Sequence, residues 1–237
     1  MLLLRSLVFT LGMWVVTPVY AVIAILTFPF PPLLRYRIIS GWARSMLWWL
    51  NVTCSIHYRI IGRENIPSHP SIILSKHQSA WETLAFQQIF PPQVWVLKRE
   101  LLWIPFFGWG LAMTSPIAIN RSAGREALKQ MVAQGKDRLK KGFWVVIFPE
   151  GTRMGPGEKG KYHIGGAWLS THTQATVVPV AHNAGEFWGK NSFIKKPGTI
   201  TVHVGEPIAA TGMKPDELNQ RVESWIEHTM TSLPAVR

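Results

Sequence analysis

Ser71-Ile-Ile-Leu-Ser-Lys-His-Gln-Ser-Ala-Trp-Glu-Thr-Leu-Ala-Phe-Gln-Gln-Ile-Phe90 decides the fold class of this chain. Its first five residues are a short apolar run that predicts a buried strand over 71–75, and the residues from Thr83 to Phe90 predict a helix. A polar loop carrying His77 separates the two. Strand, loop and helix in that order form one step of a sheet covered by helices. The step repeats outward along the chain. Val94 to Lys98, Phe143 to Phe148, Thr176 to Ala181 and Thr199 to Val204 read as further strands. Ala123 to Lys141, Ala167 to Thr171 and Pro215 to Ser232 read as helices, the last with Pro215 at a favourable first-turn position. Pro91-Pro92, Gly155-Pro156-Gly157 and Lys195-Lys196-Pro197-Gly198 mark loops. The Gly- and Lys-rich stretch from Gly155 to Gly166 is the expected mobile loop. The expected architecture is α/β, a single mixed and largely parallel β-sheet covered by helices, preceded by a two-helix membrane-associating segment.

That preceding segment is read from charge and hydropathy. No charged residue occurs from Ser6 to Leu34, and Ser6 to Phe28 is long enough, at about 1.5 Å per residue, to cross a hydrocarbon core of roughly 30 Å. Pro18 is expected to kink this helix, and Pro29, Pro31 and Pro32 to end it. A second apolar stretch, Ile38 to Ile56, holds Trp42, Trp48 and Trp49 but also Arg44, which suits the membrane interface better than its centre. Arg35, Arg37 and Arg44 follow the first segment, so the positive-inside rule places the remainder on the cytoplasmic face of the cell's inner membrane. A hairpin dipping into one leaflet satisfies the same charges. A cleaved signal peptide ending near Ala21 competes less well, because the apolar run continues beyond it. The expected division is an anchoring part over residues 1–58 and a catalytic domain over residues 59–237.

A formal charge of +12 over 237 residues implies an anionic partner. Nucleic acid is disfavoured, because Lys and Arg are spread along the chain without a recognisable nucleic-acid module. Cys54 is the one cysteine, which excludes an intrachain disulfide and a thiolate metal cluster. There is no His-Glu-x-x-His pattern, so no metal is expected. A Gly-x-Ser-x-Gly elbow is also missing, which removes the usual support for a serine nucleophile.

Two short segments carry the chemistry. In His77-Gln-Ser-Ala-Trp-Glu82, five positions along a continuous helix would hold the two side chains roughly 140° apart. With His77 in the loop and Ser79 as a helix cap, the imidazole can instead fold back onto the Glu82 carboxylate. One ring nitrogen is then oriented and the other is left to accept a proton. His57, His69, His163, His172, His182, His203 and His228 lack an acid at that spacing and read as ordinary polar residues. In Phe148-Pro-Glu-Gly-Thr-Arg153 a strand ends in a turn at Gly151, where backbone N–H groups and the Arg153 fork can approach an anion. Glu150 pairing with Arg153 across the turn is the plain alternative. Lys98 at a strand end and Arg121 after a short strand add cations at the edge where ligands of open α/β sheets gather.

In order and spacing these segments resemble the glycerolipid acyltransferases, specifically the bacterial 1-acyl-sn-glycerol-3-phosphate acyltransferases, over roughly residues 60 to 210. The four blocks are His77 to Glu82, Lys98 to Arg121 with Ile104-Pro-Phe-Phe-Gly108, Phe148 to Arg153, and Val177-Val-Pro-Val180. The resemblance implies acyl transfer from acyl-CoA or acyl carrier protein to the free hydroxyl of 1-acyl-sn-glycerol 3-phosphate, forming phosphatidic acid, without a cofactor. Another lysophospholipid acceptor is the alternative, and a non-catalytic module that binds anionic lipid the distant one. His77 would be the base and Glu82 its partner. Lys98, Arg121 and Arg153 would hold the acceptor phosphate, with Glu150, Gly151 and Thr152 shaping the substrate pocket and residues 177–180 flanking the acyl site. The sequence departs from the family pattern twice, with Glu82 where Asp is usual and Lys76 where Asn is usual. Both leave open which lyso-lipid is acylated, a lyso-ornithine lipid included.

Overall fold

The computed structural model describes residues 1–120 and 123–234. Three helices come first, α1 (Leu2–Leu26), α2 (Pro32–Ile39) and α3 (Gly41–Cys54). The α/β body follows as β1 (Ile56–Ile61), β2 (Ile72–Ser75), α4 (Trp81–Ile89), β3 (Gln93–Lys98), α5 (Phe107–Met113), β4 (Ile117–Ile119) and α6 (Arg125–Lys140). It continues through β5 (Trp144–Ile147), α7 (Gly165–Thr173), β6 (Val177–His182), α8 (Ala184–Phe187), β7 (Gly198–Val204) and α9 (Pro215–Ser232). The seven strands form one sheet in the order β1-β7-β6-β2-β5-β3-β4. The pairings among β6, β2, β5, β3 and β4 are parallel, and β7 with β1 runs the other way against β6.

Helices cover both faces, which explains why the central strands read as continuous apolar runs rather than alternating ones. Ile73, Val146 and Val178 point to the face covered by α1, α3 and α4, with Leu50, Leu84 and Phe86 among the buried side chains there. Ile72, Leu74, Val145 and Val177 point to the opposite face, against Met131, Leu169, Leu218, Val222 and Ile226 of α6, α7 and α9. Burial of each such side chain stabilises the fold by about 1.5–3 kcal/mol.

The N-terminal region differs in detail from its sequence reading. The first helix continues through Pro18 and stops at Leu26, ahead of the proline cluster, and Pro32 opens α2 at a first-turn position. The second apolar stretch does not run as one helix to Ile56. Ser55 adopts φ 53° and ends α3, so Ile56 starts β1, which pairs with β7. The sheet therefore begins before residue 59, inside the expected anchoring part. The apolar character of Ile56 had disguised a strand as the tail of a helix.

α1 and α3 run antiparallel, tied by Trp42 Nε1 donating to Thr17 Oγ1 (3.2 Å) and by the Tyr20–Ser45 hydroxyl pair (3.3 Å). Both ends of α1 touch the body. Near its start the Lys195 amide donates to Ser6 Oγ (2.9 Å), and Phe9 packs edge-on against Trp188 with ring centres 5.4 Å apart. Near its end Ala21 and Ala24 are buried where Gly110 of α5 approaches. The remaining surface of this helix is apolar and exposed, including Leu11, Trp14, Val15 and Leu26.

Candidate active site

β2, β5 and β6 end at the same edge of the sheet, and the chain leaving them builds the site. The N-cap of α4 is Ala80, one residue past the Ser79 that the sequence suggests, yet Ser79 still contributes to the helix start. Its hydroxyl accepts from the Trp81 amide (3.1 Å), while the Glu82 carboxylate reaches back to the amides of Ser79 (2.8 Å) and Gln78 (2.9 Å). This reciprocal cap places Glu82 in the first helical turn, with the positive end of the helix beside it. The same oxygen, Oε1, lies 2.8 Å from His77 Nδ1. Burial alone would raise the Glu82 carboxyl, but the His182 and His77 imidazoles and the Ser79 amide together hold it below its usual range. An ionised carboxylate only accepts, so His77 Nδ1 carries the hydrogen, and in the neutral ring the lone pair is on Nε2. The longer Glu side chain thus reaches the histidine from a helix that starts at Trp81, two residues before the Thr83 that the helical run of the sequence suggests.

The rest of His77 is equally restrained. Its N–H donates to Glu150 Oε2 (3.0 Å), and its carbonyl accepts from the Met154 amide (2.7 Å). Its ring stacks on Phe148 at 3.8 Å between centres and 6° between planes. Phe148 in turn stacks on Trp95 at 5.6 Å.

Lys76 neither faces solvent nor offers itself to an anion. It is 1 % exposed, and its ammonium donates to Glu150 Oε1 (2.7 Å), Glu227 Oε1 (2.9 Å) and the Glu158 carbonyl (2.9 Å). Tyr162 donates to the same Glu227 oxygen at 2.8 Å, and burial, reinforced by that carboxylate, pushes its phenol well above the usual range. Glu150 therefore does not pair with Arg153 across the turn. Its two oxygens are engaged by Lys76, the Gly160 amide (3.2 Å) and the His77 amide. Both oxygens are thus held by the protein itself, and the residue is buried. The turn itself closes through Gly151 N–H to the Phe148 carbonyl (3.0 Å), with Gly151 at φ 68°, a conformation that favours glycine. The stretch from 155 to 166 is tethered through Glu158, Gly160 and a His163 amide bond to the Pro149 carbonyl (2.8 Å).

The expected anion-holding residues are placed more openly. Arg153 is half-buried one residue before the Met154 amide that binds His77, and it reaches Asn191 Oδ1 at 3.4 Å. Lys98 is exposed at the end of β3 and Thr152 is exposed in the turn. Arg121 lies outside the described residues. His182, read as an ordinary polar residue, is fully buried behind the site. Its Nδ1 accepts from the Ala184 amide (3.3 Å) and its Nε2 lies 2.9 Å from the Lys76 carbonyl, so the proton is on Nε2. Burial holds its pKa below the usual value. The sequence reading missed the roles of Lys76, Glu227, Tyr162 and His182. One signal was available, since Lys76 is the only charged residue from Asn65 to Trp81, and a lysine beside a buried strand needs carboxylates.

An apolar cavity lies between α1, α2 and α5, lined by Ala21, Ala24, Ile39, Phe106, Phe107 and Leu111 among others, with Trp95 at its inner wall. The Trp95–Phe148–His77 stack links that wall to the histidine.

Residues 57–183 match the model of the acyltransferase family, which is more than half of the chain. This chain belongs to the acyltransferase family. A 1-acyl-sn-glycerol-3-phosphate acyltransferase of Pseudomonas aeruginosa is 48 % identical over 207 residues, covering 86 % of this chain and 80 % of that one. One from Saccharomyces cerevisiae is 26 % identical over 209 residues, covering 79 % of this chain and 66 % of the yeast protein. The crystal structure of the 1-acyl-sn-glycerophosphate acyltransferase of Thermotoga maritima superposes with a TM-score of 0.82 at 21 % identity, covering 100 % of this acyltransferase and 97 % of its own chain. That likeness shows the shared fold.

Proposed function

We propose that this acyltransferase moves an acyl group from a thioester donor, acyl-CoA or acyl carrier protein, to the free hydroxyl of 1-acyl-sn-glycerol 3-phosphate, giving phosphatidic acid. The observation that carries the reading is His77, held by Glu82 in the tautomer that leaves Nε2 able to accept a proton, in a chain 48 % identical to a Pseudomonas aeruginosa enzyme of that name.

In this reading Nε2 takes the acceptor's hydroxyl proton as the oxygen attacks the thioester carbonyl carbon. A new C–O bond forms, the C–S bond breaks, and the thiolate recovers the proton from His77. Lys76 and Glu150 act through His77, fixing its backbone, and touch no substrate. Arg153, with Lys98 and Arg121, binds the acceptor phosphate. The apolar cavity takes hydrocarbon, which its lining suits.

The chain associates with the membrane through α1. A helix of 25 residues is roughly 37 Å long, yet residues near both of its ends contact the same body. This supports α1 lying along one leaflet with its apolar side in lipid, on the cytoplasmic face that Arg35, Arg37 and Arg44 favour. In membranes carrying the protein, labelled acyl groups should pass to 1-acyl-sn-glycerol 3-phosphate ahead of other lyso-lipids, with each donor tried separately. Preferential acylation of a lysophospholipid lacking the terminal phosphate, or of a lyso-ornithine lipid, would overturn the assignment of acceptor.

A further inference from the structure

Trp103, Ile104, Phe106, Phe107 and Trp109 are 67, 44, 52, 42 and 47 % exposed, all within one short stretch between β3 and β4. Apolar area gathered in this way marks an interaction surface. Phe106 and Phe107 also line the apolar cavity between α1, α2 and α5, and the backbone holds the whole stretch at the surface. Phe106 has φ 60° and centres a γ-turn in which the Phe107 amide donates to the Pro105 carbonyl at 2.6 Å, a strained conformation for a bulky residue. Gly108 completes the turn, because a Cβ there would stand 2.4 Å from the Leu102 carbonyl oxygen. The Phe106 and Trp109 rings end up 5.2 Å apart at the tip.

Behind the tip, α5 is seated on α1. A Cβ on Gly110 would meet Ala21 Cα at 3.7 Å and Ala24 Cβ at 3.9 Å, so the two helices are in close contact there. The patch is therefore continuous with the exposed apolar side of α1, where Val22, Ile25 and Leu26 also face outward. Cations stand at its foot. Lys98 and Arg99 are exposed just before it, Arg37 is exposed on α2, and Arg35 donates to Ser115 Oγ (3.3 Å) just past α5. Exposed aromatic and apolar side chains with cations beside them suit the interface of a leaflet that contains anionic lipid.

We propose that residues 101–109 form a second membrane-inserting element, entering the same phospholipid leaflet as α1 and pinning the open end of the site to the bilayer surface. The proposal rests on α1 being membrane-bound. Its seat is α5, so the element is carried by the body itself and holds the distance between the β3–β4 edge and the headgroups.

The test uses the full chain in vesicles of phosphatidylethanolamine and phosphatidylglycerol, with an environment-sensitive NBD label at one introduced cysteine in a Cys54→Ala background. The sites are Phe106→Cys and, independently, Trp103→Cys, with Trp14→Cys on α1 and Lys190→Cys on an exposed polar loop as references. The expected result is blue-shifted emission at 103 and 106, with most of the intensity lost to doxyl-labelled lipid, as at 14 and unlike 190. Labels at 103 and 106 that resist quenching while 14 is quenched would overturn the second element alone. Labels unquenched at all four sites would overturn the membrane reading of α1 with it. Mutual quenching between protein copies at 106, without lipid quenching, would assign the patch to self-association and also overturn the proposal.

Discussion

His77 and Arg153 lie within a few residues' reach of each other, yet they are held in opposite ways. His77 is restrained at its amide, its carbonyl, its Nδ1 and its ring face. Among the described residues Arg153 makes one long side-chain bond, to Asn191, and Lys98 is exposed with no ion pair. The difference suits the two tasks proposed for them. A proton acceptor must be in place before the substrate arrives, whereas a grip on a headgroup must admit a lipid and release it.

The largest expected effect tests the restrained side directly. His77→Ala should lower kcat for acyl transfer by about 10²–10⁴-fold, measured with labelled donor and 1-acyl-sn-glycerol 3-phosphate. Turnover close to that of the unaltered protein would refute the division of tasks.

Next comes what seats the histidine. Lys76→Asn leaves Glu150 and Glu227 facing one another without a cation and should cost about 3–5 kcal/mol of stability, read by denaturant unfolding in detergent. Adding Glu227→Gln should recover a large part of that loss, and activity with it. A double variant as unstable as the single one would mean that the charge of Lys76 is not what holds the site.

The open side should respond more gently and differently. Loss of a charge-assisted bond of about 1.5–3 kcal/mol in Arg153→Ala should raise the acceptor KM by roughly 10- to 100-fold while kcat changes little. A fall in kcat at unchanged KM would instead place Arg153 on the chemical side.

The smallest effect concerns pH. The folded pKa of His182 lies below its unfolded value of 6.5, so the unfolded chain binds the proton more readily. Stability should be complete above that value and decline as pH falls through it, by no more than about 1.4 kcal/mol per pH unit. Glu82 acts in the same direction at lower pH, its contribution being present above 4.5 and lost as pH falls further. Thermal melts from about pH 8 down to about pH 4 should show the decline, and His182→Gln should flatten its upper part.

Much of this was legible in the sequence where the information is local. The strand expected over 71–75 appears as Ile72–Ser75, and the helix from Pro215 to Ser232 appears with those bounds, because buried strands and a proline-opened helix leave short-range patterns. The His77–Glu82 contact was also legible, since five residues and a cap confine it. The strand β1 was not, because an apolar residue after an apolar helix carries no mark of where the helix stops. Nor was the Lys76–Glu227 pair, whose partners are 151 residues apart. A glutamate next to the apolar stripe of α9 looks like any solvated charge until the sheet brings Lys76 beneath it.

That last pairing has a consequence for synthesis. α1 lies far upstream of α9 in the chain, so it leaves the ribosome well before Glu227 does. Until α9 has emerged and docked, Lys76 lacks one of its carboxylates and β2 lacks part of the helical cover on one face. A nascent chain therefore carries an unfinished centre beside Lys76 until α9 has docked.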